Sequence, residues 1–575
     1  MPARLIREAI VEALIAEGVK HVFGLPGGQM VFTFNDALYD CRDQITSIMA
    51  RDERSASFMA CGYAQMSRGP ALCYGTLGPG FANLIPGMGE AYRGSWPVIF
   101  LSCSTPRLTA GHGSMQEIPQ MQMVAPITKW SWHLEIPDQV YWMMRQAFSE
   151  ACSYPPGPVY IEIPTDMGNA VVEGLEYQKS YRVQDFEPSD EAVAAAVDLL
   201  LAAEKPVIIA GGGVHMAQAW AELQELAELV GAPVGTTCTG KAAISETHPL
   251  AIGVVGNEGT RFTNEYVEDA DLVFWVGSAM EDLETSVYTR GRGRSKLICA
   301  NVNPTHINRV WVPDVALMGH ARLTLRKLVR ELKRRDDRHP EFLERPRVKE
   351  LLALKESWEK EIEEEVRSLN SSPLHPARIA REIDRLKPDN LVLAADSAFN
   401  SFWFQGYPYF KILKPGNSIA KSQFSFIGFA AAAAIGAKLA TEDPVMAVCG
   451  DGGFHFVMPE LATAAQYRIP VVFVVMDNKS IGWIKYWQQV VHEERYLDTD
   501  FVPPIDFTTI ARACSCKALA VERPEEIADA MQEAFRITAA GEPVLVHAHV
   551  DWSARWWGSD DVVKVYTEGR VPRPV

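Results

Sequence analysis

Two apolar runs in the last third of the chain constrain its fold more than any other feature. Val445-Met446-Ala447-Val448-Cys449 ends at Gly450-Asp451-Gly452, and Val471 to Met476 ends at Asp477-Asn478. Runs this continuous belong to strands covered on both faces, the parallel arrangement of α/β folds. Between them, Phe454 to Tyr467 carries Leu461, Ala464 and Ala465 at helical spacing. The segment therefore reads as strand, helix, strand. Both carboxyl ends then lie on one edge of the sheet, where α/β proteins bind ligands. Asp451 and Asn478 would meet there as oxygen ligands, with Ser480 completing the candidate metal set. A carboxylate, an amide oxygen and a backbone carbonyl leave room around Mg²⁺ for phosphate oxygens and water. A Gly-Asp-Gly alone marks many turns, and the asparagine closing the next strand is what makes this one specific. Gly450, Gly452, Gly453 and Ile481 are the flanking candidates for diphosphate contacts.

The amino-terminal third repeats this logic. Ile45 to Ala50 reads as a strand with Arg51-Asp52-Glu53 at its carboxyl end, followed by a helix through Phe58, Met59, Cys61, Gly62 and Tyr63. A strand at Ala71 to Thr76 then leads into Leu77-Gly78-Pro79-Gly80 and a helix bearing Asn83. With these pieces the chain resembles the acetolactate synthase/pyruvate oxidase branch of the thiamine diphosphate (ThDP) enzymes. The resemblance rests on His21-Val22-Phe23-Gly24-Leu25-Pro26-Gly27-Gly28, Glu53, Gly78-Pro79-Gly80, Met115-Gln116-Glu117 and Pro126-Ile127-Thr128-Lys129. It continues through Ile427-Gly428-Phe429, Gly450-Asp451-Gly452 with Asn478, and Gly482-Trp483-Ile484-Lys485-Tyr486-Trp487. The motifs occur in order over roughly residues 1–550, and they are more specific for the superfamily than for the reaction.

The resemblance implies three doubly wound parallel-sheet α/β domains in the order pyrimidine-binding, middle, diphosphate-binding. The expected bounds are 1–170, 191–335 and 373–550, with a charged helical linker at 336–372 and a tail at 551–575. A length of 575 residues suffices for a separate core in each domain. The formal charge of −17 argues against nucleic acid or an anionic membrane as partner. No apolar stretch is long enough to span a bilayer; Ala430 to Ala434, between Gly428 and Gly436, reads as close-packed core. Arg4, Arg7 and Glu8 fit an amphipathic helix rather than a signal peptide. The ten scattered cysteines read as buried, reduced thiols, so a cytoplasmic location is expected. Cys514 and Cys516 lack the second pair that a zinc site needs.

The middle unit carries Gly211-Gly212-Gly213 after a strand, a weak nucleotide signal. In the resembling family this domain sometimes holds FAD, and an arginine there also takes part in holding an acceptor acid. Here the corresponding stretch is Gly277-Ser278-Ala279-Met280, and an alanine offers none of the arginine's hydrogen bonds. FAD is therefore not expected, and a strict acetolactate synthase assignment is weakened.

The resemblance assigns the remaining roles. Glu53 shares a proton with the aminopyrimidine ring of ThDP, and Pro26, Gly27, Gly78, Asn83 and Ile427 contact the cofactor, Ile427 lying beneath its bend. Gln116 and His112 are candidate catalytic groups, and Met115, Trp483, Ile484 and Trp487 candidate pocket walls. Trp483 and Trp487, four apart, share one helix face, which equally suits core. The implied protein is a homodimer at least, and a homotetramer by preference, acting on a small carbonyl or 2-oxo acid substrate. Four readings stay open: a carboligase or lyase, a 2-hydroxyacyl-CoA lyase or 2-oxo acid decarboxylase, a flavin-containing oxidase, and a silent ThDP-binding protein. The tail places Trp552, Trp556 and Trp557 within six residues, so it should pack on something, the subunit's own body or the pocket mouth, either as a staple to a neighbouring subunit or as a lid.

Overall fold

The computed structural model describes residues 3–183, 186–292, 295–335, 341–559, 563, 564 and 567. It contains three six-stranded sheets, and every pair of neighbouring strands in them is parallel. The chain forms two compact units: Met1–Gln184 with Lys421–Glu442 and Val457–Ile469, and Asp185–Ala420 with Asp443–Phe456 and Pro470–Val575.

The first sheet runs in space as Thr46–Met49, His21–Gly24, Ala71–Gly75, Val98–Ser104, Val159–Pro164 and Trp130–His133. The third runs as Ser418–Ala420, Val392–Ala395, Val445–Gly450, Val471–Asp477, Val544–His549 and Lys517–Val521. Numbered along the chain, both follow the order 2-1-3-4-6-5, so the two domains share one topology. In each, the strand order reverses between the first and third strands, and the loops leaving those strands open the crevice where such sheets bind ligands. The middle sheet, Pro206–Ala210 through Val315–Met318, follows 3-2-1-4-5-6, the order of dinucleotide-binding sheets.

The alanine-rich stretch is core, as its composition suggested. Helix Phe429–Lys438 is buried along almost its whole length against helix Glu53–Ser67. A Cβ on Gly62 would stand 2.0 Å from the Ala433 carbonyl oxygen, and one on Gly436 would stand 1.8 Å from that of Met59. Only glycine lets the two backbones approach this closely.

Two sequence expectations need correction. Phe454 to Tyr467 is not one helix: Asp451–Phe454 forms a single turn, and the helix proper is Glu460–Gln466, beginning after Pro459. Proline suits the start of a helix and breaks its interior. The charged linker, whose density of Lys, Arg, Glu and Asp reads as a solvated helix, is not wholly solvated either. Helix Pro346–Ser368 buries Val348, Leu351, Lys355, Ile362 and Val366. Among the described residues no helix is long and apolar enough to cross a membrane.

Candidate cofactor site

In the first unit, Asp52 caps helix Glu53–Ser67, its carboxylate accepting the Arg54 and Ser55 amides. That cap places Glu53 in the first helical turn, where the helix dipole favours a carboxylate. Glu53 is 7% exposed. Asn83 donates its amide to Glu53 Oε2 at 3.1 Å. Gly80 lies so close that a Cβ would sit 2.9 Å from Glu53 Oε1. The turn before it depends on Gly78, whose φ of +67° is a glycine conformation. Its N–H donates to Gln120 Oε1 at 2.7 Å. A Cβ on Gly78 would lie 2.4 Å from the Gln116 carbonyl oxygen, so the Gln116 backbone closes over this turn. Gln116 itself has φ +67°, and its side-chain oxygen is buried without a hydrogen-bond partner among the described residues. A buried acceptor with no donor is a group that a ligand can satisfy.

The rest of the predicted pyrimidine-side set divides. Gly27 packs against Thr76, where a Cβ would be 2.4 Å away, whereas Pro26 is exposed. Ile427 is half-buried and leads into Gly428, which starts helix Phe429–Lys438 at φ +87°. His112 is exposed, and Met115 is 78% exposed. Their loop is held by Glu117, whose carboxylate accepts the Gly111 and Ser114 amides.

In the second unit, the three predicted metal ligands gather around one amide. The Ser480 N–H donates to Asp451 Oδ2 at 3.0 Å and to Asn478 Oδ1 at 3.1 Å, and the Ser480 hydroxyl also donates to Asn478 Oδ1 at 3.1 Å. A Cβ on Gly482 would meet the Asn478 amide nitrogen at 2.6 Å, so glycine here leaves that side chain its position. Ile481 is anchored by its N–H to the Thr499 carbonyl at 2.8 Å. Gly452 differs from these glycines: a Cβ would find its nearest neighbours, on Phe501 and Ile481, at 3.7 and 3.9 Å. Protein packing thus leaves space beside Gly452. Burial and the adjacent Asp477 push the Asp451 carboxyl well above the usual carboxylate range. Asp477 is held by His547 Nε2 at 2.8 Å and by the Lys479 amide. A buried acidic pair of this kind is relieved by a cation. Among the described residues no three His, Cys, Asp or Glu side chains group as metal ligands. A cation here would draw its remaining oxygens from ligand and water, which suits Mg²⁺ with a diphosphate.

Of the expected pocket walls, Trp483 packs edge-on against Phe399 at 4.7 Å and lies 6.0 Å from Trp487. Both tryptophans border the hydrophobic core of the third domain, and Ile484 is exposed. The tail's tryptophans also turn inward. Trp556, 1% exposed, packs edge-on against Trp403 at 5.0 Å and donates its indole N–H to the Asn257 carbonyl at 3.1 Å. Trp557 donates to the Gly259 carbonyl at 2.7 Å. Trp552 lies beneath Lys485 at 4.2 Å. As far as Ser559 the tail's tryptophans therefore pack on their own chain. The stretch Arg570-Val571-Pro572-Arg573-Pro574 lies outside the described residues.

The glycines of the middle domain are explained by packing. A Cβ on Gly211 would lie 2.5 Å from the Gly277 carbonyl oxygen, and one on Gly213 would lie 2.8 Å from Gly277 Cα. Beyond Ala279 come two buried acids. Glu284 accepts from the Ser278 hydroxyl, and burial and the Glu281 charge push its carboxyl up. Carboxylates beside this loop suit the phosphates of a dinucleotide poorly.

Sequence reasoning missed three buried polar groups that support these elements. Glu460 accepts the Arg51 amide with both oxygens, at 3.0 and 3.2 Å, and burial pushes its carboxyl up to about 7. Gln120 holds the Gly78 turn, and Glu90 holds the loop before Ile427. Their one visible signal was a polar residue at a core position.

Comparison with known proteins identifies the domains. Residues 5–123 match the thiamine pyrophosphate enzyme N-terminal TPP binding domain, 193–328 the central domain, and 397–548 the C-terminal TPP binding domain. A protein of Methanocaldococcus jannaschii named "Probable acetolactate synthase large subunit" is 33% identical over 558 residues, covering 95% of this chain and 91% of its own. The acetolactate synthase isozyme 2 large subunit of Escherichia coli K12 is 28% identical over 550 residues, covering 95% and 96%. The chain belongs to the thiamine pyrophosphate enzyme family.

Proposed function

We propose that this protein is a ThDP- and Mg²⁺-dependent carboligase that takes an acyl group from a pyruvate-type 2-oxo acid and transfers it to a carbonyl acceptor. The gathering of Asp451, Asn478 and Ser480 around one amide carries the cofactor reading. The relatives' printed names support the choice of substrate.

In this reading Asp451, Asn478 and Ser480 hold the metal, and Gly450, Gly452, Gly453 and Ile481 approach the diphosphate. Glu53 would hydrogen-bond the pyrimidine ring and hold the proton exchanged with it, while Asn83 fixes the orientation of the carboxylate. Gly27 and Gly78 admit Thr76 and the Gln116 backbone beside the place the ring would take, and Ile427 would lie beneath the cofactor. The bound group supplies a nucleophilic carbon for the carbonyl and an electron sink for the carbon–carbon bond. Proton exchange by a positioned acid or base is worth about 10²–10⁴-fold. Gln116 offers its side chain to the substrate, and Met115 and His112 border its approach. Trp483, Ile484 and Trp487 form the other wall once a second copy of the chain completes the site. A homodimer is accordingly the smallest active form, and no flavin takes part.

Ala279 favours a second reading, in which the product is protonated or a carbon–carbon bond is cleaved, because no guanidinium stands there to hold an acceptor acid. Protein stripped of metal with EDTA and resupplied with ThDP, Mg²⁺ and a panel of 2-oxo acids and 2-hydroxy carbonyl compounds tests both readings. Release of CO₂ that requires both additions is expected. No ThDP-dependent turnover across the panel would refute them.

A further inference from the structure

We propose that Glu90 is a positioning residue: it fixes the loop Ser422–Phe426 and so sets Ile427 in the place where it supports the bent cofactor. This rests on the function proposed above.

Glu90 lies in helix Pro79–Gly94 and is 0% exposed. Its Oε2 accepts the Ser422 N–H at 2.8 Å and the Ser422 hydroxyl at 2.6 Å. Its Oε1 accepts the Phe426 N–H at 2.8 Å. One carboxylate therefore grips both ends of the loop, and the second grip falls on the residue next to Ile427. Within the loop, the Phe424 N–H donates to the Ser422 hydroxyl oxygen at 3.1 Å, and the Ser425 N–H donates to the Ser422 carbonyl at 3.1 Å. Ser425 has φ +59°, a left-handed conformation that serine adopts only when its surroundings impose it.

Ring packing completes the clamp. Phe426 lies 5.3 Å from Phe58, and Phe424 stacks on Phe426 at 6.4 Å. Phe424 also rests on Gly89, where a Cβ would be 2.9 Å from the ring. Burial raises the Glu90 carboxyl, and its three donors and Lys421 oppose that rise. The loop could close over apolar side chains at less cost than by burying a carboxylate. What the carboxylate adds is geometry: it satisfies donors on two sides at once and fixes the backbone entering Ile427.

Glu90→Gln is the test, because an amide has one acceptor oxygen and cannot serve both ends of the loop. Ser422→Ala is the milder variant, removing only the hydroxyl contact, and it decides the matter if Glu90→Gln does not fold. Two readouts are taken. In cofactor-free protein, amide hydrogen exchange across Ser422–Phe426 is followed by mass spectrometry; it should quicken about tenfold in Glu90→Gln and less in Ser422→Ala. In protein saturated with ThDP and Mg²⁺, exchange of the cofactor's C2 proton should slow about tenfold, while ThDP affinity and substrate KM stay within about threefold.

Wild-type amide exchange and wild-type C2-proton exchange in the variants would overturn the proposal. So would a loss of ThDP affinity with normal C2-proton exchange at saturation, which marks a merely structural carboxylate. Glu53→Gln run alongside separates the two claims. Slow C2-proton exchange in Glu53→Gln beside normal exchange in Glu90→Gln refutes the role of Glu90 alone. Normal exchange in Glu53→Gln refutes the underlying reading of the site.

Discussion

Replacing Glu53 by glutamine should leave the fold and ThDP binding intact and remove most of the turnover. The structure fixes how the new side chain would sit. Asn83 donates to Glu53 Oε2 at 3.1 Å, so an amide in its place must turn its oxygen toward Asn83. Its NH₂ group then faces the other way, toward the side where Gly80 leaves only the width of a missing Cβ. That group can donate a hydrogen bond to a ring nitrogen but cannot exchange a proton with it. The loss should therefore equal the value of a positioned acid or base, about 10²–10⁴-fold in kcat, or roughly 3–5 kcal/mol of barrier. Substrate KM should change little, because the lost interaction belongs to the proton transfer. Exchange of the C2 proton of bound ThDP, followed by NMR in both proteins, measures this directly. A wild-type exchange rate in the variant would remove Glu53 from the mechanism.

Asp451→Ala should weaken ThDP by two or more orders of magnitude, since about 1.4 kcal/mol lost per decade is small beside a metal–carboxylate contact; unchanged affinity by calorimetry with Mg²⁺ present would refute the metal assignment. Glu460→Gln concerns pH. The Glu460 carboxyl stands at about 7 in the fold against an ordinary 4.5, so the folded chain keeps a proton that the unfolded chain releases in that window. Its contribution is complete below about pH 4.5 and is lost as pH rises through about 7; Glu460→Gln should flatten the fall in Tm from pH 5 to 8, and parallel curves would contradict this. Trp556→Ala removes a buried indole and leaves the Asn257 carbonyl without its donor. It should cost about 3–5 kcal/mol in denaturant unfolding, and a loss below about 1 kcal/mol would show that the tail does not brace the chain.

The architecture was legible because parallel strands buried on both faces write themselves as apolar runs. Val445 to Cys449 and Val471 to Met476 are both strands, and Asp451 and Asn478 do meet through Ser480. Glu53 was legible for the same reason: it follows a strand and opens a helix. The helix between Phe454 and Tyr467 was misjudged because its apolar spacing outweighed Pro459, which fixes where the helix can begin. Glu90, Gln120 and Glu460 escaped notice because each acts on residues far away in the chain. Nothing near Glu90 in sequence shows that Ser422 and Phe426 will stand opposite it. The tail's destination was hidden likewise, since the carbonyl that receives Trp556 belongs to Asn257.

The most direct test is to follow ¹³C-labelled pyruvate by NMR in the presence of the protein, ThDP and Mg²⁺. A carboligase joins the labelled acyl carbon to a second carbonyl carbon with loss of CO₂, so the product should show coupling between two labelled carbons that were separate in the substrate. Omission of ThDP or Mg²⁺, or use of Glu53→Gln, should abolish that signal. Labelled acetaldehyde or acetate as the only product, or no product at all, would contradict the carboligase assignment.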